Sequence, residues 1–342
     1  MPKKDTSPQC VDIGGQAVLE GVMMKAPDSI AIAVRKPDGS ICVKCDPYVS
    51  PAKKHKWMGW PVVRGAVNMV NMLVMGMNTL EASSRMLGVE EEEPTKFEKW
   101  LSKTFGKSID KIVMGVAIVL AVFLSVGLFM VIPSIFATLI NKVVKSLLVV
   151  NLCSGVVRIL ILIAYIWGCG KIPDMRRTFE YHGAEHKTVY CHEAGLELTP
   201  QNAKQFSTLH PRCGTSFLLI TMIIAILAGA VVDQLLHAIF GVERLTFLAR
   251  LARSIILLPL IAGVSYETLK GLAHSDNKLV RALRWPGLML QHLTTREPDE
   301  KQLEVAIASM KAALAGKKMP ETILGKDGAA EENAEDAPET NE

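Results

Sequence analysis

Ile112-Val-Met-Gly-Val-Ala-Ile-Val-Leu-Ala-Val-Phe-Leu-Ser-Val-Gly-Leu-Phe-Met-Val-Ile132 carries no charged side chain from end to end. At 1.5 Å per residue, a helix of this length covers a hydrocarbon core of about 30 Å. The run predicts a membrane span. Pro133 interrupts it, and apolar residues then continue to Ile140. Working outward, Leu147 to Gly168 is a second span, with Arg158 inside it. Ser216 to Leu236 is a third, with Asp233 near its far end. Ser254 to Leu269, extended back through Phe247, is the shortest and makes the fourth. The expected architecture is a mostly α, polytopic helical membrane protein with three to four transmembrane helices.

Hydrophobic residues make up 49% of the 342-residue chain and charged residues 21%, and the two classes are segregated along it. The net charge of +4 is too small and too dispersed to argue for a nucleic-acid partner. Basic residues that flank apolar runs fit membrane orientation better. Lys99, Lys103, Lys107 and Lys111 precede the first span. Lys171, Arg176, Arg177, Lys187, Lys204 and Arg212 fall between the second and third, and Lys270, Lys278, Arg281 and Arg284 follow the fourth. The positive-inside rule then places both termini and the 170–215 segment in the cytoplasm of a cell (inner) membrane protein. Seven irregularly spaced cysteines make no disulfide framework, in keeping with a reducing compartment. The polar start lacks the apolar core of a signal peptide.

The soluble parts divide as follows. Residues 1–60 predict a small β-containing cytoplasmic region. Ile30–Val34 and Ile41–Cys45 flank the turn Pro37-Asp38-Gly39, which reads as a hairpin. Gly14 and Gly15 upstream permit close approach by another chain segment. Residues 61–111 predict an interfacial or bundle-packed helix over 61–87 and a linker at Glu90–Glu93. The bundle covers 112–285, with the polar segment 170–215 within it. A helical region follows over 286–325, containing an amphipathic stretch at 297–319. The last residues, 326–342, are acidic, poor in large apolar side chains and expected to be disordered.

The polar segment between the second and third spans carries the chemistry. His182 and His186 are four residues apart, so on a helix both imidazoles stand on one face and can reach one ion. Glu185 lies about 60° round the helix from His182. This is the H-x-x-E-H pattern, in which Zn²⁺ acidifies a water and the neighbouring carboxylate takes its proton. A divalent metal, Zn²⁺ first, is the expected cofactor, with Glu185 as general base. A third ligand is required. His210, in His210-Pro-Arg-Cys-Gly-Thr-Ser216, is one choice and Glu267, in a span, another; Cys213 is a softer alternative. His192 and Glu193 read as orienting groups or as a solvated helix end. Cys42-x-x-Cys45 places its two thiols on opposite faces of a strand and does not read as a zinc knuckle. The many methionines look like adaptable packing. Neither a nucleotide-binding Gly-x-x-x-x-Gly-Lys-Ser/Thr loop nor a Gly-x-Ser-x-Gly elbow is present.

Several blocks together resemble the YqhQ-like family of bacterial membrane proteins. They are Gly14-Gly-Gln-Ala-Val-Leu-Glu-Gly-Val-Met-Met-Lys25, Arg64-Gly65, Glu180-Tyr-His-Gly-Ala-Glu-His-Lys-Thr188, His210-Pro-Arg-Cys-Gly-Thr-Ser-Phe217 and Pro286-Gly-Leu-Met-Leu-Gln-His-Leu-Thr-Thr-Arg-Glu-Pro298. The resemblance covers roughly residues 10–300, with Lys25 standing where an Arg would be expected. It implies metal dependence, in a family of unknown function whose members are described as predicted metal-dependent enzymes, and supplies no substrate. The expected function is metal-dependent hydrolysis of a membrane-proximal bond at a cytoplasm-facing site, with membrane lipids and a membrane-proximal substrate or protein as partners. A non-enzymatic scaffold is the alternative. A transporter is a third, which predicts that Arg158 and Asp233 share a cavity near the bilayer middle.

Overall fold

The computed structural model describes residues 13–51, 55–88, 109–242, 245–273 and 277–324. The Glu90–Glu93 linker, the Lys99, Lys103 and Lys107 cluster and the acidic tail lie outside them. Among the described residues, four helices are long and apolar enough to cross a membrane: Gly115–Ile140, Leu147–Cys169, Gly214–Phe240 and Phe247–Leu272. The chain is thus mostly α, with a small antiparallel sheet.

That sheet has five strands in the order β1 (Gly14–Val18), β2 (Gly21–Lys25), β3 (Ser29–Arg35), β4 (Ile41–Pro47) and β5 (Met319–Leu324). The hairpin expected around Pro37-Asp38-Gly39 pairs Arg35 with Ile41, and Gly39 takes φ +90° in the turn. Both faces are buried, and the period of two shows it. Val22, Met24, Ala31, Ala33, Ile41, Val43 and Cys45 point to one side. Met23, Ile32, Val34 and Cys42 point to the other. Cys42 and Cys45 accordingly sit in different cores, as their spacing required.

The helices are α1 (Val63–Met86), α2 (Ile109–Val126), α3 (Ile132–Ile140), α4 (Leu147–Cys169), α5 (Pro173–Glu193), α6 (Pro200–Lys204), α7 (Gly214–Phe240), α8 (Phe247–Ala273), α9 (Lys278–Thr294) and α10 (Glu300–Ala315). Pro133 does not end the first span. A π-helical turn, Gly127–Val131, joins α2 to α3 and takes up the hydrogen bond and the space that a proline denies an α-helix. Helix α10 starts with a capping box, Asp299 with Gln302, and buries Leu303, Ile307 and Met310 against one sheet face beside α5. Each such side chain stabilises the fold by about 1.5–3 kcal/mol. The C-terminal half of α1 covers the other face with Met75, Ala82, Met86 and Leu87.

The N-terminal strands form the small β region expected there, with α5 and α10 completing its core. One expectation changes here. The 286–325 region is not helical throughout: after Ala315, Gly316 turns the chain at φ +63° and β5 pairs with the free edge of β4. A six-residue edge strand whose partner lies far back in the chain has little local signal.

The N-terminal end of α1 packs on the bundle, as the 61–87 expectation allowed. Gly65 and Gly263 let α1 and α8 touch: a Cβ on Gly65 would lie 2.7 Å from Gly263 Cα. Arg64 grips both carboxylate oxygens of Glu267 at this crossing. Helix α1 therefore connects the bundle to the sheet.

Candidate metal centre

Helix α5 is polar in composition, yet its middle is buried: Tyr181, Gly183, Ala184, Glu185, His186, Lys187, Thr188 and Val189 are all inside. Buried polar groups need partners, and each one here points to what built the site. Pro173 opens the helix just after α4 ends, so the motif stands about two turns beyond the end of a span.

His182 and His186 occupy one face, with ring centroids 4.5 Å apart. His182 Nδ1 lies 2.8 Å from the carbonyl oxygen of Thr294, and His186 Nδ1 lies against that of Thr208. A carbonyl oxygen can only accept, so each Nδ1 donates, and in a neutral imidazole so held the Nε2 lone pair is left for a ligand. His182 Nε2 lies 3.2 Å from Cys213 Sγ. His186 Nε2 is buried and has no partner among the described residues.

One donor atom from each of His182, His186 and Cys213 lies within 4.8 Å of the others. Zinc–nitrogen and zinc–sulfur distances of about 2.0–2.3 Å set tetrahedral edges of roughly 3.5 Å. The 3.2 Å contact and the 4.8 Å limit bracket that value. Two imidazoles and a thiolate suit Zn²⁺, and three protein ligands leave a fourth position for water or substrate. The donor set, the carbonyl-fixed imidazoles and the orphaned lone pair all fit a divalent cation.

Close packing puts the backbone carbonyls in place. A Cβ on Gly183 would lie 2.0 Å from the Arg296 carbonyl oxygen, so glycine lets the 294–296 segment press on α5. Arg296 N–H donates to Phe179 O at the same contact. Cys213 is the N-cap of α7, its Sγ accepting from Thr215 N–H. The turn that carries it is clamped by Gln291, which is fully buried. Gln291 Oε1 accepts from His210 N–H, and its Nε2 donates to His210 O and Ser216 Oγ.

The other sequence-derived residues fall around this group. His210 is buried beside it, its ring centroid 5.6 Å from that of His186 and 4.5 Å from that of Tyr190. Its Nε2 faces Glu193 at 3.4 Å, and Glu193 also pairs with Arg212. Burial pushes the His210 imidazole down to about 4, against the raising pull of Glu185. His210 is outside the three-donor group, as is Glu267, which Arg64 occupies in α8; Cys213 is in it. Glu185 points towards the sheet, where Gly15 N–H donates to its Oε1 at 2.9 Å. A Cβ on Gly15 would meet Glu185 Cγ at 3.0 Å, so the glycine allows the close approach that its sequence suggested. Sequence reading did not find Thr208, Thr294 or Gln291. Their carbonyls and amide act through tertiary contacts, and the one signal was the place of Gln291 and Thr294 within the Pro286 block.

Residues 60–316 match the family described as "Protein of unknown function (DUF1385)". The chain belongs to that family. It is also 32% identical over 311 residues to "Uncharacterized protein YqhQ" of Bacillus subtilis (strain 168), a match covering 88% of this chain and 92% of that protein. No solved structure matches. Membership in this family, the membrane-like helices and the His-His-Cys group agree with the resemblance of the sequence blocks, and none of them names a reaction.

Proposed function

We propose that this chain is a metal-dependent hydrolase of the cell membrane, acting at the cytoplasmic end of its bundle on a bond held near the membrane surface. The observation that carries the proposal is the pair of imidazoles fixed through Nδ1, with the lone pair of His186 Nε2 buried and unmatched beside Cys213. His182, His186 and Cys213 would hold the cation, Zn²⁺ by the chemistry of the donors. When bound, it would supply a Lewis acid that makes water acidic near neutral pH.

The chain's own residues do the rest. Gly15 N–H holds Glu185 Oε1, which leaves Oε2 to take a proton from the attacking water. The oxygen of that water would bond to the scissile carbonyl carbon, the bond from that carbon to the leaving group would break, and Glu185 would return the proton to the leaving group. Thr208 O and Thr294 O keep both imidazoles in the ligating tautomer. The buried neutral His210 and the Gln291 clamp hold the Cys213 turn.

A second reading is a non-enzymatic assembly factor. It is favoured by the same Gly15–Glu185 bond, since a carboxylate that ties a strand to a helix can be purely structural. One substitution separates the two. Zinc-loaded wild type and Glu185→Gln are incubated with a membrane fraction, and new chain termini are read by mass spectrometry. The enzyme reading expects products from wild type alone, with zinc content equal in both proteins. Identical product patterns would overturn it.

A further inference from the structure

Arg158 lies midway along α4, roughly 16 Å from either helix end at 1.5 Å per residue. An arginine side chain reaches about 7 Å, less than half a hydrocarbon core of about 30 Å, so it cannot bring its charge to water. Arg158 shares a helix face with Asn151 and Gly155, and that face meets α7: a Cβ on Gly155 would lie 2.4 Å from Ile226 Cγ2. One turn and two turns further along α7 stand Gly229 and Asp233.

Among the described residues, Asp233 is the one carboxylate facing Arg158, and its oxygens are taken. Arg253 pairs with Oδ1, and Asn151 Nδ2 donates to Oδ2 at 3.1 Å. The other charges facing Arg158 are Arg253 and Arg250. Arg158 makes no hydrogen bond or ion pair with a described residue, and its Nε and that of Arg253 are buried without partners. The cavity beside Asp233, about 30 Å³, is lined by Asn151 and Arg250 but not by Arg158, so the shared chamber of the transporter reading is not what joins Arg158 to Asp233.

We propose that Arg158 and Arg253 form the cationic half of a binding site for an oxyanion, the phosphate of an anionic phospholipid or free phosphate. A helical side chain leans towards its N-terminus, so Arg158 points up α4 towards Asn151 and Arg253. The site therefore lies about 6–10 Å inside the 147/240/247 end of the bundle, by helical rise. Planar guanidinium forks match phosphate oxygens, and an anionic ligand offsets part of the positive charge that Arg158, Arg253 and Arg250 keep beyond Asp233.

The test uses the full chain in neutral detergent. Melting temperature is measured with added phosphatidylglycerol, phosphatidylcholine or inorganic phosphate, for wild type, Arg158→Gln and Arg158→Leu. Native mass spectrometry of wild type counts bound phosphate-bearing adducts. A rise of about 5 °C with phosphatidylglycerol alone, lost in the variants, supports a lipid ligand. The same rise with inorganic phosphate supports the free anion. No rise with either, an equal rise in the variants, or wild type without an adduct overturns the proposal. The adduct count decides the matter if neither variant folds.

Discussion

Glu185 and Gly15 are joined by a backbone-to-carboxylate hydrogen bond of 2.9 Å across 170 residues of chain. It ties β1 to the helix that carries both imidazoles, so the sheet sets where the carboxylate stands. Gly15→Ala puts a Cβ 2.5 Å from Met23 O and 3.0 Å from Glu185 Cγ. We expect a loss of about 1–3 kcal/mol by overpacking, and zinc content unchanged. Chemical denaturation with metal analysis checks it; loss of metal with stability intact would show Glu185 to be a ligand.

Gly183→Ala should be more damaging, because its Cβ meets a carbonyl oxygen at 2.0 Å and that backbone cannot move without taking Thr294 O from His182. Zinc affinity should fall about 10-fold or more, in line with losing a partner of a ligating imidazole. Competition with a chromogenic chelator measures this, and unchanged affinity would contradict the packing argument.

Glu267 serves the α1–α8 crossing. Glu267→Ala should leave zinc content at the wild-type level and destabilise the protein only modestly, because both partners of the pair are partly exposed. Loss of zinc on this substitution would return Glu267 to the ligand set.

His210 gives the metal-free protein a pH signature. In the fold it stays neutral down to about pH 4, whereas an unfolded histidine binds a proton below about 6.5. Between those values the unfolded state holds more protons, so stability rises with pH across the window and levels off above it. The rise should amount to about 3 kcal/mol. Denaturation after chelation, at pH 4.5 and 7, reads it, and His210→Gln should remove that increment.

Much of this was legible in the sequence because it is written in local periodicity. The long apolar runs marked the spans, the Pro-Asp-Gly turn marked the β3–β4 hairpin, and the four-residue spacing put His182 and His186 together. What escaped depends on contacts between distant segments. β5 exists because β4 has a free edge, and Cys213 joins the imidazoles because Gln291 of α9 clamps its turn. His210 and Glu267 had the better donor chemistry on paper, but burial beside Tyr190 holds one outside the group and Arg64 occupies the other.

Metal content of the purified chain, wild type beside His186→Ala and Cys213→Ala, bears most directly on the centre. We expect about one zinc per wild-type chain, as three protein ligands and one open position imply, and less than about a tenth of that in either variant. Equal zinc in all three proteins, or none in zinc-supplied wild type, would contradict a metal held by His182, His186 and Cys213.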